Sequence, residues 1–246
     1  MGLSCRFVLI GIQTDASEGQ KHMASFKLNI AEIKGCPSAA EVAKKLEAFG
    51  LPESEEFGVL NQSATSSTVF ATIIRKSQTA VPRLDNETRE LTSSPVERVT
   101  VYPFGIRPES NTLEIYSGSA SSIEQVAAFL AGALALPVVV EPIEIDIAAA
   151  LEKLAKETQK FQFRSARVSE YAHNSYMSGP YGPKFLDSEH GKDFLGEYSE
   201  FVVAASVKFA GPTGRVTVSL SPKACFGFSC NEDDQPQVQS ILRKLI

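Results

Sequence analysis

The sequence predicts an α+β fold: antiparallel hairpins with about four helices packed mainly on one face. Three observations predict it. Several short runs alternate apolar and polar residues at a period of two, as in Phe201–Phe209. Turn-forming segments such as Arg107–Asn111 and Gly211–Gly214 join consecutive runs into hairpins. Other segments place apolar residues at helical spacing behind capping residues.

Taken in order, Arg6–Gln13 reads as a strand covered on both faces, and Ser25–Ile33 as a strand with Phe26, Leu28 and Ile30 on one side. Ser38 and Glu41 form a capping box that opens a helix with Val42, Leu46 and Phe49 inward; Gly50 and Pro52 stop it. Pro52–Phe57 is an acidic loop and Ser67–Arg75 a strand. Lys76–Val96 has few apolar residues and no period, so it reads as a linker or a long excursion. It divides the chain into an N-terminal unit, 1–90, and a C-terminal unit, 91–246.

In the second unit Arg98–Ile106 and Thr112–Ser117 form a hairpin. A second capping box at Ser121–Glu124 opens a helix with Val126, Phe129, Leu130 and Leu134 inward, ended by Pro137. Val138–Ile145 is a strand. Asp146 caps a helix to about Gln159 through Ile147, Leu151 and Leu154. Phe161–Tyr171 is a strand, Phe194–Tyr198 a single helical turn, and Gly191–Asp193 a turn leading into it. Phe201, Val203, Ala205, Val207 and Phe209 share one strand face, Arg215–Leu220 and Ala224–Cys230 follow, and Val238, Ile241, Leu242 and Leu245 make the stripe of the last helix. The strand–turn–strand–helix order of 98–134 recurs in 201–246 without residue identity, which marks a common α+β unit rather than a duplication.

Composition narrows the function. Of 246 residues 43% are hydrophobic and 22% charged, as in an ordinary globular chain. The net charge of -5 disfavours a strongly basic nucleic-acid binder, and the acidity concentrates in residues 91–150. The apolar stretch Val126–Val140 is broken by Gly132 and Pro137, so no membrane span is expected. The start at Met1-Gly2 lacks the hydroxyl residue a myristoylation signal needs, since Arg6 stands there. The cysteines, Cys5, Cys36, Cys225 and Cys230, read as free thiols of a cytoplasmic protein; on a regular strand Cys225 and Cys230 point to opposite faces.

No phosphate loop, nucleophile elbow or His-Glu-x-x-His motif occurs, and neither a cofactor nor a metal is expected. Ser117-Gly-Ser119 before a helix offers only a generic anion position. The segment Tyr171–Lys184 is unusual: tyrosines, Asn, Ser, Gly and Pro with almost no charge, a composition suited to recognition. Its candidate binding residues are Tyr171, His173, Asn174, Tyr176, Tyr181 and Lys184. These point to a non-enzymatic binding or assembly protein with 171–193 as its contact surface and a protein as its partner. Two alternatives remain. One is a hydrolase, possibly metal-assisted, using His173, Asp187, Glu189 and His190. The other is an RNA or single-strand binding module on the C-terminal sheet, weakened by the scarcity of basic residues on those strands.

Overall fold

The computed structural model describes residues 23–49, 57–86, 88–118, 120–174 and 177–246, the side chains at 120, 133, 173, 174 and 177 excepted. The expected strand Arg6–Gln13, Cys5, most of the acidic loop and Tyr176 lie outside the described residues.

The central strand, β1 (Ala24–Lys34), explains the rest. Its side chains alternate, so Phe26, Leu28 and Ile30 enter a core on one face while Ala31 and Ile33 enter a different core on the other. Around it lie β2 (Phe57–Ala64), β3 (Val69–Leu84), β4 (Leu91–Arg107), β5 (Thr112–Ile115), β6 (Val139–Pro142), β7 (Gln159–Asn174), β8 (Met177–Tyr181), β9 (Val202–Ala210), β10 (Arg215–Ser221) and β11 (Cys225–Cys230). They form one antiparallel sheet of 11 strands in the order β2-β3-β4-β5-β1-β11-β10-β9-β7-β8, with β6 also paired to β1.

Among the described residues five α-helices cover it: α1 (Ala39–Glu47), α2 (Ala120–Ala128, continued by a π turn), α3 (Ile147–Glu157), α4 (Ser188–Tyr198) and α5 (Gln235–Arg243). They do not share a face, as the sequence suggested. The stripes of α3, α4 and α5 (Leu151, Leu154, Leu195, Val238, Leu242) bury against Val207, Val218 and Phe226 in the same core as Phe26 and Leu28 of β1. Those of α1 and α2 (Val42, Leu46, Val126), with Phe129 of the π turn, bury against Ile73, Phe104 and Leu113 on the reverse side. Each amphipathic segment is legible alone, but only the parity of β1 sets which side of the shared sheet it covers.

Local signals fare unevenly. The Ser38–Glu41 box is present, with Ser38 Oγ accepting from the Glu41 amide and Glu41 Oε2 from the Ser38 amide. Asp146 Oδ1 accepts from the amides of Ala148 and Ala149. By contrast α2 begins at Ala120, so Ser121 lies in its first turn and is not its cap. The π turn closes at Leu134 and Ala135 takes a φ of +47°, which ends the helix before Pro137 is reached.

The segment 76–96 is not a linker. β3 and β4 pair without interruption from Val69–Ile106 to Leu84–Leu91, and residue 90 sits at the tip of this hairpin. From Arg83 to Leu84 and Leu91 to Thr92 both faces are exposed, so there was no core for the residues to alternate against. In β9 the pairing to β7 slips between Arg167–Ala204 and Val168–Val202. This bulge puts Val202 in the core and turns Val203 outward, against the regular alternation expected of Phe201–Phe209.

Candidate functional site

The 171–193 segment is a folded corner of the sheet. β7 and β8 make a hairpin in which Tyr171 faces Gly179 and Val168 faces Tyr181. The chain then doubles back along β7: the Ala166 amide donates to Pro183 O at 3.3 Å and the Phe185 amide to Arg164 O at 2.8 Å. α4 follows at once, eleven residues long, absorbing both the expected turn at Gly191–Asp193 and the single turn at Phe194–Tyr198.

Aromatic rings weld this corner together. The Tyr171 ring lies 4.5 Å from Tyr181 and 5.1 Å from Tyr198, Phe194 stacks on Tyr198 at 4.8 Å, and Phe163 meets Phe185 at 4.9 Å. Gly191 admits the Phe163 ring to the helix surface, since a Cβ there would stand 2.2 Å from it. Tyr171 is therefore half-buried packing material. Tyr181 is exposed along one side, Lys184 is exposed, and Leu186 lies entirely in solvent at 100% exposure. His173 and Asn174 fall on β7, and Tyr176 lies outside the described residues.

Of the proposed acid–base group, the fold brings together Asp187 and His190. Asp187 caps α4, its Oδ1 accepting from the amides of Glu189 and His190, each at 3.0 Å. Its Oδ2 meets His190 Nδ1 at 2.7 Å. The amide of His190 and its ring hold the Asp187 carboxyl below its ordinary range; in return that carboxylate raises the His190 imidazole. Both side chains stand mostly in water, and Glu189 points to solvent. A shallow cavity of about 260 Å³ beside them is lined by Gln162, Phe163, Arg164, Leu186, Asp187 and Ser188, without His190. Among the described residues no three His, Cys, Asp or Glu side chains gather as metal ligands would.

Two features were missed from sequence. The first is the outer β3–β4 hairpin, an arm about 25 Å long at the usual rise per residue, on which Val81, Leu84, Leu91 and Val96 are exposed. Its tip is closed by Asp85: its amide donates to Glu90 O at 2.9 Å and its Oδ1 accepts from the Thr88 amide. A Val- and Thr-containing run on either side of Asp85-Asn86 was the available signal. The second is a buried carboxylate. Glu114 of β5 is 1% exposed and accepts hydrogen bonds from Arg107, from Arg243 of α5 at 2.7 and 2.9 Å, and from the Tyr116 hydroxyl at 2.6 Å. Burial pushes its pKa up, but the hydrogen bonds and both guanidinium charges outweigh burial and hold it below the usual carboxylate value. Tyr116 is pushed the other way, upward, by burial and by that carboxylate. The group ties the last helix to the middle of the sheet.

Of the rings that the strand Phe201–Phe209 offers for nucleic-acid stacking, Phe209 is a core residue and Phe201 is 39% exposed. Cys225 is half-buried on one face and Cys230 buried on the other, the latter raised to about 11 by burial; Cys36, Cys225 and Cys230 are free thiols. Among the described residues no helix is long and apolar enough to cross a membrane. Neither a family model nor a curated protein matches this chain.

Proposed function

We propose that this is a non-enzymatic binding or assembly protein of the cytoplasm whose partner is a protein, held chiefly by the β3–β4 arm and secondarily by the exposed rim of 171–193. The arm carries this reading. A two-stranded ribbon is only marginally stable in water by itself, and this one presents Val81, Leu84, Leu91 and Val96 to solvent. Exposed apolar side chains gathered on one projecting element mark contact surfaces. Pro82 and Pro95 interrupt its donor positions, which discourages open-ended strand addition and favours side-chain contact with a defined partner. Leu186 and the open side of Tyr181 give the opposite end of the sheet a smaller surface of the same kind.

The hydrolase alternative is weaker because the Asp187 carboxylate is engaged in capping α4 and the Asp187–His190 pair sits in water, where neither group is shielded. The test is affinity capture from native lysate, with and without nuclease, comparing wild type with the double variant Leu84→Ser, Leu91→Ser. A nuclease-resistant partner retained by wild type and lost by the variant supports the arm. A partner kept by the variant, or released by nuclease, overturns this reading.

A further inference from the structure

We propose that the uncovered face of the C-terminal half of the sheet holds a binding site for a small molecule carrying a phosphate group. This face lies opposite the α3–α5 core, and strand register determines its composition. Lys27 faces Gly227, Gly227 faces Ser219, Ser219 faces Ser206, and Ser206 faces Ser165. The row on one side reads Ser25, Ser229, Thr217, Lys208; on the other, Asn29, Cys225, Ser221. Hydroxyl groups and lysines make up most of these rows, and no carboxylate stands among them, in a chain whose net charge is -5. Cation and overall charge are thus segregated, and the cation collects where hydroxyl donors are densest.

The rows dip into a cavity of about 330 Å³ whose wall includes Lys27, Asn29, Ser219, Ser221, Lys223 and Cys225. That is the size of a pocket for a small ligand, not a groove for a polymer. Gly227 forms part of its floor. A Cβ there would stand 2.8 Å from Ser219 Oγ and 3.2 Å from Lys27 Nζ, so the missing side chain lets the lysine ammonium and the serine hydroxyl approach the same point. Lys27 makes no ion pair among the described residues, and Lys223 adds a second positive charge at the rim. The Ser219 hydroxyl donates to Gly227 O at 3.1 Å, so the recognition here falls to the Lys27 and Lys223 ammonium groups, which bind a phosphate by charge-assisted hydrogen bonds. The absence of any aromatic side chain from these rows removes base stacking, which a single-strand surface uses for much of its affinity. The ligand class is therefore a phosphorylated small molecule.

The experiment is an amide-resolved NMR titration of the full chain with inorganic phosphate, ribose 5-phosphate, sulfate and a single-stranded oligonucleotide. The expected result is saturable shifts at Gly227 and Ser219 with ribose 5-phosphate, strongest among the four probes. Lys27→Met should weaken it roughly tenfold or more, the worth of one charge-assisted bond. Gly227→Val should abolish it by filling the floor, with unfolding temperature measured to confirm that each variant is folded; Lys156→Met on α3 should change nothing. Failure of ribose 5-phosphate to saturate overturns the site, as does equal binding of sulfate or indifference to Lys27→Met. Tighter binding of the oligonucleotide, with a steep loss on adding salt, replaces it with a nucleic-acid surface.

Discussion

The two halves of the sheet solve the same covering problem in opposite ways. The half built on β2–β5 hides the face carrying Ile73, Phe104 and Leu113, and its reverse retains Leu60, Ile74, Val99, Val101 and Pro103 at partial exposure, with Phe70 set against Tyr116. The half built on β7–β11 hides Val207, Val218 and Phe226, and its reverse is serine, threonine and lysine. A face of hydroxyls loses nothing by meeting water, whereas each half-exposed valine or isoleucine forfeits part of its transfer free energy. The uncovered side of the first half is also continuous with the arm, since Ile74 pairs with Val101 and Lys76 with Val99 on the way outward. The two halves thus differ in the side left bare, apolar in one and rich in hydroxyls and lysine in the other, more than in the core.

The comparison is sharpened most by core truncations. Phe129→Ala in one core and Leu242→Ala in the other should each cost about 2–5 kcal/mol, because both are fully buried. With β1 common to both, denaturant unfolding of each variant should remain a single transition at a lower midpoint; separate transitions would break the pairing of the halves. Gly191→Ala comes next. It should cost about 1–3 kcal/mol by forcing a methyl against Phe163, measurable as loss of the α4 corner in hydrogen exchange while β3–β4 protection is unchanged.

Glu114→Gln should cost about 1–3 kcal/mol at neutral pH, the range for removing one charged partner from a hydrogen-bonded buried cluster. Because the folded pKa of Glu114 lies below its ordinary value, its stabilisation is full above the unfolded carboxylate pKa and is lost as pH falls through the folded one. Unfolding followed from pH 7 downward should therefore show a shallower acid loss in Glu114→Gln than in wild type; parallel curves would refute the role. The smallest effect is expected at the arm: Leu84→Ser with Leu91→Ser should move stability by no more than about 0.5 kcal/mol, and a larger loss by thermal unfolding would show that the arm packs on the body.

Residues with local roles were legible in the sequence. Ser38, Asp146 and the stripes of α1, α3 and α5 depend on spacing and nearby amides, and all were legible. So was the opposite orientation of Cys225 and Cys230, which needs only strand parity. Residues whose partners are distant or absent were not. Val203 turned outward because of a bulge against β7, which no period within β9 reveals. Residues 76–96 have no period because the outer arm has no buried side. The packing of Tyr171 and Tyr181 was hidden because their partners, Phe194 and Tyr198, lie on a helix that the glycine at 191 disguised. The phosphate candidate was illegible for a simpler reason: Lys27, Ser206, Ser219 and Gly227 meet only through register.

The position of β1 also has a consequence in time. Its hydrogen-bonding partner β11 lies roughly two hundred residues further along, near the end of the chain. At a synthesis rate of about 5–20 residues per second, some 10–40 s pass between the emergence of the two strands. Throughout that interval the Ala24–Asn29 part of β1 lacks the strand that pairs with it, although Ala31–Lys34 can already pair with β6. The nascent chain therefore keeps the first half of β1, with Phe26 and Leu28, without its partner strand until translation is nearly over.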